Sequence, residues 1–259
     1  MAGLQSSNPV FGRSPSLQPR TFGAAGYPSP SDVEDIYRTP ARLTIDDVVM
    51  RTGLLFGLLV VVGAVTWIAN VPSGVVALAG IVGFVLAMVN IFKREVVPAL
   101  VIAYTVAEGV LLGGVSAFVE HTPAYKGLPL QAAVGTVAIF GAVLLAYHNK
   151  VLRATPKFTK MVVGGFVGLF GLLILNFVIS FFNGSGLGLR DGSGLAIVFS
   201  IAFIVLGSLT FVLDFDNAER LVASGAPEKE SWRIAFGLIV GLVWLYFELL
   251  RLLSYFRDR

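Results

Sequence analysis

From residue 44 onward the chain alternates long apolar runs with short polar breaks. Seven runs stand out: Val48–Ala69, Ser73–Phe92, Val97–Val119, Pro129–Tyr147, Met161–Phe182, Gly194–Leu213 and Arg233–Tyr255. Each holds roughly 20 residues, the length a helix needs to cross about 30 Å of hydrocarbon at about 1.5 Å per residue. Inside lipid every backbone amide and carbonyl must be satisfied by the protein, which leaves helices or a closed barrel. The alternating strands of a barrel are absent, so the pattern predicts an all-α, polytopic protein with seven transmembrane helices. Four GxxxG pairs fall within the runs, at Gly53/Gly57, Gly109/Gly113, Gly164/Gly168 and Gly237/Gly241. Small residues four apart let two helix backbones approach closely.

Residues 1–43 differ in kind. They are rich in Ser, Pro and Gly, with prolines at 9, 15, 19, 28, 30 and 40. No periodic apolar stripe is present to build a core, so a disordered cytoplasmic tail is expected, followed by a transmembrane domain over 44–259. No apolar segment of the signal-peptide type follows the start.

Composition agrees with the pattern. Of 259 residues 56% are hydrophobic, and the mean hydropathy is +0.81. There is no cysteine, which removes disulfides, thiolate metal sites and a thiol nucleophile. His121 and His148 are too far apart in sequence to suggest a metal site, and no HExxH, GxxxxGK[ST] or GxSxG is present. The chain does not read as an enzyme, and no cofactor is expected from these residues.

The net charge of +3 does not point to nucleic acid, because the cations sit in the breaks between runs. The segment through Arg51, with the breaks at Lys93–Arg94, His148–Lys160 and Asp214–Arg233, holds 14 Lys and Arg. The intervening breaks hold 2, Lys126 and Arg190. The positive-inside rule then places the N-terminus in the cytoplasm and the protein in the cell membrane. Arg251, Arg257 and Arg259 crowd the outer end of the last run, where a full span is preferred to a re-entrant one.

Few ionisable residues lie at membrane depth, and these are the candidates for function. Glu108 sits at the centre of the third run. It is either part of an ion or regulatory pathway or a carboxyl bonded to a neighbouring helix. Glu248 and Arg251 lie three apart in the last run, one helix face, which predicts an intrahelical pair with Arg251 reaching the interface. Asp214 and Asp216 close the sixth run. Gly225 and Pro227 predict that this helix continues to Ser224, so both acids stand on it at the interface. Asp214, nearer the bilayer, is the stronger candidate, while Asp216 reads as a solvated acid. Asp46 and Asp47 stand within reach of Arg51, and Thr44–Asp47 fits a loose capping box.

The ending Asp214-Phe-Asp-Asn, Trp232 and Trp244-Leu-Tyr-Phe-Glu-Leu-Leu-Arg-Leu-Leu253, with Ala107-Glu-Gly-Val-Leu-Leu-Gly113, resembles the Bax-inhibitor-1/YccA family. The stretch Ser7–Phe11 is similar to its actinobacterial branch. The resemblance implies six helices around a central C-terminal one, and pH-sensitive Ca²⁺ leak activity. In a bacterial subgroup it implies modulation of a membrane-bound AAA protease. It also implies an aspartate pair as a proton-sensitive latch. Asp214 matches the first member. The place of the second falls near Gly241, which leaves Glu248 or Glu108 to substitute. The pH-sensing or ion-pathway candidates are therefore Asp214, Glu108 and Glu248, with Asp216 and Arg251 secondary. The expected activity is a cation leak, with a non-conducting protease modulator as the alternative.

Overall fold

The computed structural model describes residues 41–184 and 186–258. Seven helices follow in order: α1 (Ile45–Ile68), α2 (Ser73–Phe92), α3 (Pro98–His121), α4 (Leu128–His148), α5 (Pro156–Asn183), α6 (Gly194–Ala223) and α7 (Glu230–Arg257). Each is long and apolar enough to cross a membrane. Among the described residues there is no strand, only an antiparallel bridge between Arg42 and Pro227.

Several helices outrun the apolar runs because polar caps hold their ends. At α1, Thr44 Oγ1 accepts from Asp47 N at 3.2 Å and Asp47 Oδ2 accepts from Thr44 N at 3.0 Å, so the capping box closes. At α5, Thr155 Oγ1 accepts from Phe158 N, with Pro156 in the first turn. Helix α6 ends where the sequence predicts. Gly225 takes φ 68°, Gly225 N donates to Val222 O and Ala226 N to Leu221 O, the double bond of a Schellman end. At its start Ser193 caps Ala196 N, and Asp191 Oδ1 accepts from Ser193 N at 2.9 Å. That backbone bond holds the Asp191 carboxyl below its ordinary pKa.

The C-terminal helix is the packing centre. Ile234, Ala235, Leu238, Ile239, Leu242 and Leu245 are buried on more than one side of it. It packs on α1, α4 and α6, and less extensively on α3. Helix α5 packs on α6 and reaches α7 through Phe166 and Phe170, whose rings meet Trp244. Helix α2 packs on α3, with Gly83 its only buried residue. The expected ring of six helices around α7 is thus uneven, with α2 outlying.

The GxxxG pairs divide sharply. A Cβ on Gly113 would stand 2.2 Å from Gly63 O, and one on Gly109 would stand 2.9 Å from Val62, so this pair sets the α1–α3 contact. Around Gly53, Gly57, Gly164, Gly168 and Gly237 a Cβ would meet nothing within 4 Å.

The expected boundary at residue 44 moves. Leu43 is buried and its N–H donates to Ala226 O, so the compact unit begins at Arg42. Most of the expected tail, residues 1–40, lies outside the described residues. Arg51 also finds other partners than Asp46 or Asp47. It bonds Glu228 and Ser231 and stands 5.3 Å over the Trp232 ring.

Candidate functional site

The helices deliver the candidate acids to three separate places. Glu108 stands near the middle of α3 and is 8% exposed. Its carboxyl rests against Gly83 of α2, where a Cβ would stand 2.9 Å from Oε1. The absence of a side chain at Gly83 makes the space that holds the acid. Among the described residues no donor or cation meets this carboxylate. One turn earlier on the same face of α3, the Tyr104 ring meets Phe236 of α7 edge-on at 4.9 Å, so this face lies between α2 and α7.

Glu248, 2% exposed, lies near the end of α7 away from the basic loops. Arg251 Nη1 donates to its Oε1 at 2.8 Å, the intrahelical pair that the spacing predicts. A second guanidinium joins it. Arg190, in the loop between α5 and α6, places Nη2 3.1 Å from the same Oε1. The cluster borders a cavity of about 670 Å³ between α5 and α7, with Asn176 and Trp244 among its walls. Glu248 Oε2, Arg190 Nε and Trp244 Nε1 are buried with no partner among the described residues.

Asp214 stands half-buried on α6 at the opposite end. Among the described residues it has no ion-pair or hydrogen-bond partner. Asp216 differs, since Arg220 Nε lies 2.6 Å from its Oδ2 one turn on, as suits an interfacial acid. The 21 residues from the Ser193 cap to Asp214 span about 30 Å of helix. Arg190 and its partner Glu248 lie near the Ser193 end, so Glu248 does not meet Asp214. Glu108 faces α2 and does not meet it either. The substitution of either glutamate for the second latch residue, open from the sequence, gives no carboxylate pair here.

The place near Gly241 is also filled. A Cβ there would stand 2.6 Å from Phe211 Cε1. Phe211 is fully buried and meets Phe140 edge-on at 5.0 Å. Among the described residues no three His, Asp or Glu side chains come together as a metal-binding group.

Sequence reasoning missed Arg190 as a partner of the last helix. Its one signal was being the lone Lys or Arg in the Gly-rich break after the fifth run. Also unread was the bond between Ser116 Oγ of α3 and Tyr246 OH of α7 at 2.6 Å.

Comparison with known families places this architecture. A family model described as Bax inhibitor 1 like matches residues 8–258. The chain belongs to that family. No curated protein matches the sequence. The matched region holds all seven apolar helices, Asp214, Gly241 and the Glu248 cluster with its arginines.

Proposed function

We propose that this Bax inhibitor 1 like protein is a pH-sensitive cation leak pathway of the cell membrane, with its N-terminus in the cytoplasm. Asp214 is its titrating group, acting singly rather than as half of a pair. The observation that carries this is the contrast on α6: Asp216 is held by Arg220, while Asp214, half-buried, has no cation beside it among the described residues. A lone shielded carboxyl responds to protonation with a full change of local charge. Glu108 is the second acid of the pathway. Ca²⁺ prefers six to eight oxygens, so sites this sparse in carboxylates bind it weakly, which suits a leak. The chain has no catalytic role in this reading.

A second reading is favoured by one observation. The three acids are dispersed, and Phe211 fills the space beside Gly241. A packed seam of this kind suits a non-conducting regulator that acts through helix contacts on a membrane-bound AAA protease.

Ca²⁺ entry into proteoliposomes holding the full chain, at mildly acid and mildly alkaline pH, separates the two. Flux above empty liposomes that changes with pH supports the leak. Flux indistinguishable from empty liposomes at both pH values overturns it in favour of the regulator.

A further inference from the structure

A cavity of about 1050 Å³ is used by neither reading. It lies at the end of the bundle that carries the basic loops, between α1 and α4, with α6 and α7 behind. Its walls are apolar: Val49, Phe56, Leu144, Phe215, Leu238 and Leu242. Val49 and Val137, which also line it, are 65% and 52% exposed, so it opens sideways onto the lipid-facing surface of α1 and α4.

The mouth, counted with the Arg220 beside Asp216, carries more positive than negative charge. Lys150 and Arg153 line it from the loop after α4, and among the described residues no carboxylate pairs with either. Of the acids at the rim, Asp216 is neutralised by Arg220, and Glu219 accepts from the Tyr147 hydroxyl at 2.8 Å and keeps its charge, which leaves the two cations in excess. The loop that presents the cations is fixed. Lys150 holds φ 59°, Val151 N and Leu152 N both donate to Ala146 O, and Arg153 Nε donates to Lys150 O at 3.1 Å. Thr52 belongs to the same wall, with its Oγ1 buried and without a partner among the described residues.

We propose that this cavity seats one anionic glycerophospholipid from the adjoining leaflet, with its phosphate on Lys150 and Arg153 and an acyl chain between α1 and α4. The match is chemical at both levels. A basic rim between helices suits an anionic headgroup, and an apolar slot suits a hydrocarbon chain.

The test is retention of dioleoylphosphatidylglycerol against dioleoylphosphatidylcholine by the full chain in mild detergent, read by native mass spectrometry. The anionic lipid is expected to be retained preferentially. Exchange of Lys150 and Arg153 together for alanine should weaken its retention roughly thirtyfold, about fivefold for each charge, and leave the zwitterionic lipid unchanged. Gly53→Leu, on the cavity wall where a Cβ meets nothing within 4 Å, fills the slot with the rim intact and should also lose the lipid. Equal retention of the two lipids, or retention unchanged in either variant, overturns the proposal. Displacement of the bound lipid by an equimolar amount of inorganic phosphate also overturns it, because the rim would then be a simple phosphate site.

Discussion

Arg190 Nη2 stands 3.1 Å from Glu248 Oε1, across 58 residues of sequence. The contact ties the loop before α6 to the far end of α7, and Arg251 presses on the same oxygen. Losing one partner of a fully buried pair costs roughly 3–5 kcal/mol. The arginine side chains are 22% and 35% exposed, so solvent lowers the expected loss for Glu248→Ala to about 1–3 kcal/mol. Arg190→Ala should cost less, because Arg251 still answers the carboxylate. Thermal unfolding in nanodiscs of the two single variants and the double variant measures the coupling, and strict additivity would show that the pair contributes nothing.

The α1–α3 contact gives a sharper contrast. Gly113→Ala forces a methyl onto the Gly63 backbone and should destabilise by roughly 1–3 kcal/mol, the usual range for overpacking. Gly164→Ala has open space and better helix propensity, and should be neutral or slightly stabilising. The same melting experiment compares them. Similar losses at the two positions would mean that α1 and α3 do not pack as described.

These two contacts show what the sequence could and could not reveal. The spans, the α1 capping box, the end of α6 at Gly225 and the Glu248–Arg251 pair are local features set by neighbours within a few residues, and all were legible. Arg190 was not, because nothing local says which helix a loop cation will meet. Position in the chain favours Gly109/Gly113 and Gly237/Gly241 among the four GxxxG pairs; Gly109/Gly113 meets a facing backbone, Gly241 but not Gly237 is closely packed, and Gly53/Gly57 and Gly164/Gly168 face open space. A small residue permits close approach without naming its partner. Leu43 was assigned to the tail because an isolated leucine before a cap carries no periodicity. Its burial depends on the turn after α6.

Glu108 tests whether a buried acid in the α2–α3 seam has a function. Glu108→Gln keeps size but cannot ionise, and should preserve the fold while abolishing flux or its response to pH. No hydrogen bond holds the carboxyl among the described residues, so Glu108→Ala should cost only about 1 kcal/mol or less, below the upper range for a lost interhelical bond. A Gln variant with wild-type flux at every pH would show that Glu108 has no part in function.

On α6 the two aspartates should behave differently. Asp214→Asn removes the only titrating change at that position, so the ratio of flux at acid and alkaline pH should move to one. Asp216→Asn breaks only the pair with Arg220, largely open to solvent, and should leave the ratio near its wild-type value. Equal effects in the two variants would remove Asp214 as the sensor.

The loop charges, 14 Lys and Arg against 2, predict an orientation. A reporter fused after Lys157 should be cytoplasmic, and one fused after Lys126 should lie on the other side. Reversal of both fusions would invert the topology, and with it the leaflet that supplies the lipid.

The tie between Arg51 and the turn before α7 bears on how the chain is made. Arg51 of the first helix finds Glu228, Ser231 and Trp232 only after about 180 further residues have been synthesised. Until then the first span waits in the bilayer with its cation unanswered. The last helix therefore does more than complete the count of spans. A chain cut short before Glu228 would lack that helix altogether and leave Arg51 without any of these three partners.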